Sequence, residues 1–148
     1  MFAATRTRTF ARAALALSLA FGAAACDDAT GEEHSDAEGM QIVDEATNQV
    51  LVSVNAARQV NGALSVRAGQ ERALEVYFLD EDGDRMSLDD DEQLSWNVAN
   101  TAVAQIEEHD GHLDLSGVTA GSTTVVLSIQ HGGHSDYDSP TIPITVTP

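Results

Sequence analysis

The chain has few cysteines, which cross-link small exported domains, and few basic residues, which bind nucleic acid. It contains one cysteine and three prolines in 148 residues, and it has no lysine. A single cysteine excludes an intramolecular disulfide framework. Seven basic residues stand against 24 acidic ones, which gives a formal net charge of −17 at pH 7. Such a chain repels phosphate backbones and anionic lipid headgroups, so we exclude both as binding partners.

The first 25 residues have the plan of a secretory signal peptide. Arginines near the start precede an apolar stretch at residues 13–21 and a run of small residues that ends at Ala25. This apolar stretch is too short to span a membrane. Residues 1–25 are therefore expected to be removed on export.

Cys26 follows the small residues directly, and this arrangement resembles the lipobox of bacterial lipoproteins, whose cysteine is lipidated and becomes the new N-terminus. Ala23 departs from the pattern, which usually has leucine there. We favour lipidation of Cys26, because a lone cysteine in an exported protein has no disulfide partner. The alternative is cleavage after Ala25 by an ordinary signal peptidase. The resemblance implies a protein of the bacterial cell envelope, attached to a membrane only through its lipid, and leaves inner and outer membrane open.

Residues 26–39 are acidic and lack large apolar side chains, which predicts a flexible linker after the lipid. Cleavage removes three of the seven basic residues and none of the 24 acidic ones, so the mature chain carries 24 minus 4, or 20, net negative charges. Residues 40–148 have the length of a single domain. The acidic surface of that domain is expected to concentrate cations.

Strand patterns recur along this domain, and no stretch has helical spacing for more than two turns. Apolar and polar residues alternate at residues 74–78, 94–98 and 142–146, as in half-buried strands. Short strands with regular turns predict an all-β fold, an immunoglobulin-like β-sandwich of about seven to nine strands. Trp96 is expected to fill the core. Pro143 lacks an amide donor, so the last strand is expected at an edge or paired on one side only.

Four sequence elements occur in order within residues 60–148. They are Val-Arg-Ala-Gly-Gln at 66–70, Leu-Ser-Trp-Asn-Val-Ala-Asn-Thr-Ala-Val-Ala-Gln-Ile at 94–106, Leu-Ser-Gly-Val-Thr-Ala-Gly-Ser-Thr-Thr-Val at 115–125, and Ile-Thr-Val at 144–146. Together they resemble the bacterial immunoglobulin-like domain of group 2. The resemblance implies an immunoglobulin-like sandwich used as a surface, adhesion or spacer module. An acidic loop and two histidine-bearing turns depart from the family pattern.

Four of the five histidines lie in two His-x-x-His turns, one around Asp110-Gly111 and the other around Gly132-Gly133. These central pairs are typical of two-residue hairpin turns, so the flanking histidines are predicted as cross-strand neighbours with Cβ atoms about 4.5–5.5 Å apart. Two imidazoles at that separation can bind one metal ion at about 2.0–2.1 Å. The predicted metal ligands are His131, His134, His109, His112, Asp136 and Asp110.

The strand order of an immunoglobulin-like sandwich would place both turns and the acidic loop 80–92 at one end of the domain. Asp80, Asp82 and Asp84 are predicted to contribute from that loop. Histidines with carboxylates favour zinc, copper or nickel. Calcium is less favoured, because counting from Asp80 the loop has its glycine, Gly83, at position four where the twelve-residue calcium pattern has it at six, and Asp91 at position twelve where the pattern has glutamate.

Strand parity leaves open whether the two turns share an ion. His131 and His134 continue the inward faces of their strands, whereas His109 and His112 continue outward faces. Unless a bulge re-aims one pair, the pairs point apart. Local hydrogen bonding within ordinary turns is the other interpretation of all these residues.

The two hypotheses that the sequence favours are non-enzymatic; a metallohydrolase, with two histidines and a carboxylate at its metal, is a third possibility that a small sandwich without an evident pocket disfavours. No Gly-x-Ser-x-Gly elbow and no glycine-rich loop that opens a helix occurs, and the only thiol is Cys26. The leading hypothesis is a lipid-anchored envelope protein that binds a divalent transition metal, as an accessory to metal uptake or sensing. The alternative is an adhesion or structural module that binds an envelope protein or glycan.

Overall fold

The computed structural model describes residues 36–109 and 111–148. The predicted signal peptide, Cys26, most of the linker and Asp110 lie outside these residues. Within the described ranges the chain forms twelve strands and no helix. The strands are β1 (Gly39–Asp44), β2 (Gln49–Val54), β3 (Val60–Gly62), β4 (Leu64–Arg67), β5 (Glu71–Leu79), β6 (Arg85–Met86), β7 (Glu92–Val98), β8 (Ala104–His109), β9 (His112–Gly117), β10 (Gly121–His131), β11 (His134–Asp138) and β12 (Ile142–Thr147). No helix of membrane-spanning length and hydropathy is found in this part of the chain.

The strands form two sheets. The first has the order β3-β2-β1-β5-β9-β8, with β6 paired to β5; the second has the order β11-β10-β12-β4, with β7 paired to β10. The pairing of β12 with β4 is parallel, and the other pairings are antiparallel. The predicted all-β sandwich is confirmed. The structure has more strands than the seven to nine predicted. Two of them, β3 and β6, have only three and two residues, and the segment after His131 forms two strands, β11 and β12.

Strict alternation of apolar and polar residues produces the core between the sheets. Ile142, Ile144 and Val146 of β12 are buried, whereas the residues between them are exposed. Buried side chains of both sheets join in one hydrophobic cluster. Each such aliphatic side chain contributes about 1.5–3 kcal/mol when it is withdrawn from water.

Trp96 occupies a different position from the one expected. It is half-buried and packs against the core cluster rather than filling its centre. Its indole Nε1 donates a hydrogen bond of 2.9 Å to the carbonyl oxygen of Ile106. Trp96 therefore joins β7 of the second sheet to β8 of the first, and the hydrogen bond satisfies its indole nitrogen.

The last strand is not an edge strand, contrary to the expectation from Pro143. β12 lies between β10 and β4. Pro143 is opposite Thr124 of β10, and the ladder with β4 begins only at Ile144. The missing amide therefore precedes the second ladder, so an interior strand tolerates this proline.

Candidate metal centre

The β10–β11 hairpin brings His131 and His134 together as the sequence predicted. The two residues are paired across the strands, and their ring centroids are 5.6 Å apart. Gly132 and Gly133 form the turn with φ angles of 56° and 92°. A two-residue hairpin turn of type I′ requires positive φ at both central positions, which glycine adopts without strain.

A β-bulge adds Asp136 to this pair. Ile129 is paired with Tyr137 and Gln130 with Ser135, so Asp136 is an extra residue of β11. Bulges bend a strand and re-aim side chains. Here the carboxylate of Asp136 lies 3.3 Å from Nδ1 of His131 and 2.9 Å from Nε2 of His134.

The three side chains form a partly enclosed cluster of metal-ligand type. One donor atom from each of His131, His134 and Asp136 lies within 4.8 Å of the other two. The side chain of Asp136 has no exposed surface. The pairing of β10 with β7 is continuous to His131, so its side chain follows buried Leu127 and Ile129 on the inward face. Two imidazoles and a carboxylate are ligands of zinc, copper and nickel, and three of them leave a fourth position open.

Asp91 contacts the other nitrogen of His131. Its carboxylate lies 2.9 Å from Nε2 of His131, at hydrogen-bonding distance. In the tautomer with hydrogen on Nε2, this nitrogen donates a hydrogen bond to Asp91. The lone pair of Nδ1 is then directed toward Asp136. Histidine ligands in metal sites commonly have such a carboxylate partner, which orients the ring and makes the ligand more basic.

The electrostatic setting of His131 combines two opposing effects. Burial lowers its pKa, and the carboxylates of Asp91 and Asp136 more than offset this, so the pKa of His131 is raised above its usual value of 6.5. The cluster therefore favours positive charge at this position, whether the charge is a proton or a metal ion.

The β8–β9 hairpin holds the second predicted pair. His109 is paired with His112, and their rings are stacked with centroids 6.0 Å apart. The alternation of β9 buries Leu113 and Leu115, which places the histidines on the outward face of the first sheet. Among the described residues, His131, His134 and Asp136 form the only group of three or more His, Cys, Asp or Glu side chains whose ligand atoms all lie within 4.8 Å of one another. The two pairs are therefore separate, as strand parity indicated, and Asp110 lies outside the described residues.

Both hairpins nevertheless lie near one end of the sandwich. A cleft of about 460 Å³ is lined by His112 and Gly111 of the β8–β9 hairpin together with Glu92 and Gln93 of β7. Glu92 is the cross-strand partner of His131. The start of β7 therefore lies between the two hairpins.

The acidic loop contacts the cluster through a residue other than the three predicted from it. Asp80 closes its own turn, because its Oδ1 accepts hydrogen bonds of 3.0 and 2.9 Å from the backbone nitrogens of Asp82 and Asp84. Asp80, Asp82 and Asp84 are not part of the three-residue cluster. The loop instead reaches His131 through Asp91 near its other end.

Sequence reasoning missed Asp91 and Asp114. Asp114 lies two residues after His112, as Asp136 lies two residues after His134. This repeated His-x-x-His-x-Asp spacing could have identified it, because residues two apart share a strand face. Asp91 has no comparable local signal, since it reaches His131 across 40 residues of sequence.

Fold and cluster together define a β-sandwich module with a His-His-Asp hairpin. Among solved structures, the chain is similar to domains 4 and 5 of the S-layer protein SbsC, with a TM-score of 0.43 and 20% identity over 60% of this chain and 49% of that structure. Domains 5–6 of the same protein give a TM-score of 0.42 and 21% identity over 57% of this chain and 39% of that structure. The match thus spans half or less of those structures, and it assigns neither a family nor a function. No family model and no curated protein matches the chain, so the group 2 immunoglobulin-like family stays a prediction.

Proposed function

We propose that this chain is a non-enzymatic module of the bacterial cell envelope that binds a divalent transition metal at the β10–β11 hairpin. His131, His134 and Asp136 are the ligands. The observation that carries the proposal is the convergence of one donor atom from each of these three side chains, of which Asp136 is fully covered. Zinc, copper and nickel suit this donor set, and calcium, which requires oxygen ligands, does not.

The hairpin is suited to hold an ion because its parts are already in position. The register pairs the two histidines, and Asp136 lies beside both of them. Ligands held by main-chain geometry lose little conformational freedom on binding, which improves affinity. The role is binding rather than catalysis in this proposal, and uptake or sensing of the metal is the biological setting that it favours.

A metal-free structural module is the second candidate, and one observation favours it. His131 has a carboxylate near each ring nitrogen, Asp91 at 2.9 Å and Asp136 at 3.3 Å. Protonated imidazoles would compensate the negative charge of Asp136 and hold the acidic loop against β10 without a metal ion. The domain would then be an adhesion or structural module that binds an envelope protein or glycan.

Titration of the purified, chelator-treated, untagged protein with zinc chloride separates the two functions. Isothermal calorimetry should show binding at micromolar zinc or tighter, and free zinc at about 100 times Kd should stabilise the fold by about 2.7 kcal/mol through linkage. His131→Ala and His134→Ala should each weaken this binding at least tenfold.

Gln130→Ala is the matched control, because Gln130 lies next to His131 in β10 and pairs with Ser135 rather than with the cluster. Equal binding by the wild type and both histidine variants would refute the metal site. A protein with no heat of binding and no rise in melting temperature would favour the metal-free module.

Attachment to the envelope is the other part of the proposal, and it is supported by the sequence around Cys26. Replacement of this residue in Cys26→Ser should move the protein from the membrane to the soluble fraction of the cell. A variant that remains with the membrane would contradict lipid anchoring at Cys26.

A further inference from the structure

The β8–β9 hairpin repeats the residue spacing of the β10–β11 hairpin. His109, His112 and Asp114 follow the pattern His-x-x-His-x-Asp, as do the three residues of the proposed metal centre. The two hairpins belong to different sheets and share no residue. The repeat therefore places a second set of the same ligand types elsewhere on the molecule.

Asp114 lies beside both histidines of its hairpin. Oδ1 of Asp114 is 3.6 Å from Nε2 of His112, and Oδ2 is 4.0 Å from Nδ1 of His109. The register of β8 with β9 has no bulge, so side chains two residues apart stay on one face. All three donors are consequently on the outward face of the first sheet.

Glu107 completes a block of four donors. It is the cross-strand partner of Asp114 and lies two residues before His109, so it occupies the same outward face. Directly paired residues have Cβ atoms about 4.5–5.5 Å apart, so the carboxylates of Glu107 and Asp114 can bind the same ion. Two imidazoles and two carboxylates thus form a two-by-two arrangement at the end of the hairpin.

We propose that His109, His112 and Asp114, assisted by Glu107, form a second site for a divalent transition metal. This site goes beyond the proposed function, because it is independent of His131, His134 and Asp136. The two imidazole rings are stacked nearly parallel, with an interplanar angle of 13°. One ring must therefore rotate before a nitrogen of each can bind the same ion. The rotation is inexpensive for an exposed side chain, which can move between staggered rotamers.

The second site binds more weakly than the first. Its histidine side chains are 66% and 23% exposed and Asp114 is 26% exposed, against 17%, 39% and 0% for His131, His134 and Asp136. Water screens an exposed site and competes for its ion. The ligands of the second site must also be ordered by the ion itself, which costs conformational entropy.

Calorimetric titration of the full chain with zinc tests this directly. The wild type should show two classes of site, with Kd values at least tenfold apart. His112→Ala should abolish the weaker class and leave the tighter one, and Glu107→Gln should weaken only the weaker class. Glu108→Gln is the matched control, since Glu108 pairs with buried Leu113 rather than with Asp114.

His131→Ala separates this inference from the proposed function. It should remove the tighter class and retain the weaker one. A wild type whose only bound zinc is lost in His131→Ala and kept in His112→Ala would overturn the second site, and so would a weaker class that survives the double substitution of His109 and His112 by alanine. Loss of both classes in His112→Ala would also overturn it, because the two sites would then be one.

Discussion

Asp136 is the residue whose setting most favours a bound cation. Its side chain is withdrawn from water, and its two oxygen atoms face imidazole nitrogens of His131 and His134. A carboxylate without water is destabilising unless positive charge compensates it. A metal ion and protonated histidines can both supply this charge, so they compete for the same place.

Asp91 is the residue through which the acidic loop acts on the site. We predict that Asp91→Asn lowers zinc affinity at the first site about 10- to 100-fold, because His131 loses the carboxylate that orients its ring and increases its basicity. Zinc calorimetry measures the change. The absorption spectrum of the cobalt-substituted protein should shift as well, since the ligand field at the ion changes.

Asp90→Asn provides the control for Asp91→Asn. It removes the same charge from the adjacent position, which is exposed. An equal loss of affinity in both variants would show that the net charge of the loop matters and that the contact with His131 does not.

At the level of elements, the β10–β11 hairpin combines two devices with different roles. The Gly132-Gly133 turn sets the register that pairs the histidines, and Asp136, which lies at the bulge two residues after His134, contacts both rings. The β8–β9 hairpin has the turn without the bulge. The hairpin with the bulge holds the tighter cluster, and the hairpin without it holds the more open one.

We predict that Gly132→Val destabilises the fold by about 1–2 kcal/mol, because a β-branched residue is strained at the φ of 56° that Gly132 adopts. Its zinc affinity should fall as the paired histidines shift. Urea unfolding and zinc titration measure the two effects.

Gly132→Asn is the comparison variant, since asparagine tolerates positive φ and is preferred in type I′ turns. Its stability and zinc affinity should stay close to those of the wild type. If both variants bind zinc as the wild type does, the turn does not set the site.

For the whole molecule, Arg72 links the two sheets. Its Nε donates a hydrogen bond of 2.7 Å to Asp44 in β1, and its Nη1 donates one of 3.0 Å to the carbonyl of Ser65 in β4. The side chain of Asp44 is 8% exposed and also accepts hydrogen bonds from Thr47. The hydrogen bond from the Thr47 hydroxyl, followed by that from Arg72, lowers the pKa of Asp44 below its usual value of 3.8.

We predict that Asp44→Asn lowers the free energy of unfolding at pH 7 by about 1–2 kcal/mol, because a charge-assisted hydrogen bond is lost. Since the folded pKa is depressed, the contribution of Asp44 is present above pH 3.8 and is lost as the pH falls through the folded value. The difference between variant and wild type should therefore narrow on acidification. Denaturant unfolding at pH 7 and at low pH measures it.

Glu45→Gln is the control for Asp44→Asn, because Glu45 is the neighbouring carboxylate and is exposed. Its effect on stability should be small at both pH values. A constant difference between Asp44→Asn and wild type down to low pH would contradict the ionised link.

The sequence by itself determined the class of fold and the local pairs of the candidate site. Alternating residues such as Ile142, Ile144 and Val146 specify a strand with one buried face, because side chains change sides at every residue. Glycine pairs at a turn likewise specify which flanking residues meet, so His131 and His134 were predictable as neighbours.

The tertiary structure alone decided how distant segments complete the site. Asp136 lies close to His134 in sequence and was predictable, whereas the contact of Asp91 with His131 depends on the path of the loop before β7. The interior position of β12, despite Pro143, depends on where the β4 ladder begins. Local periodicity carries no information on these arrangements, because they arise when the two sheets pack around their shared core.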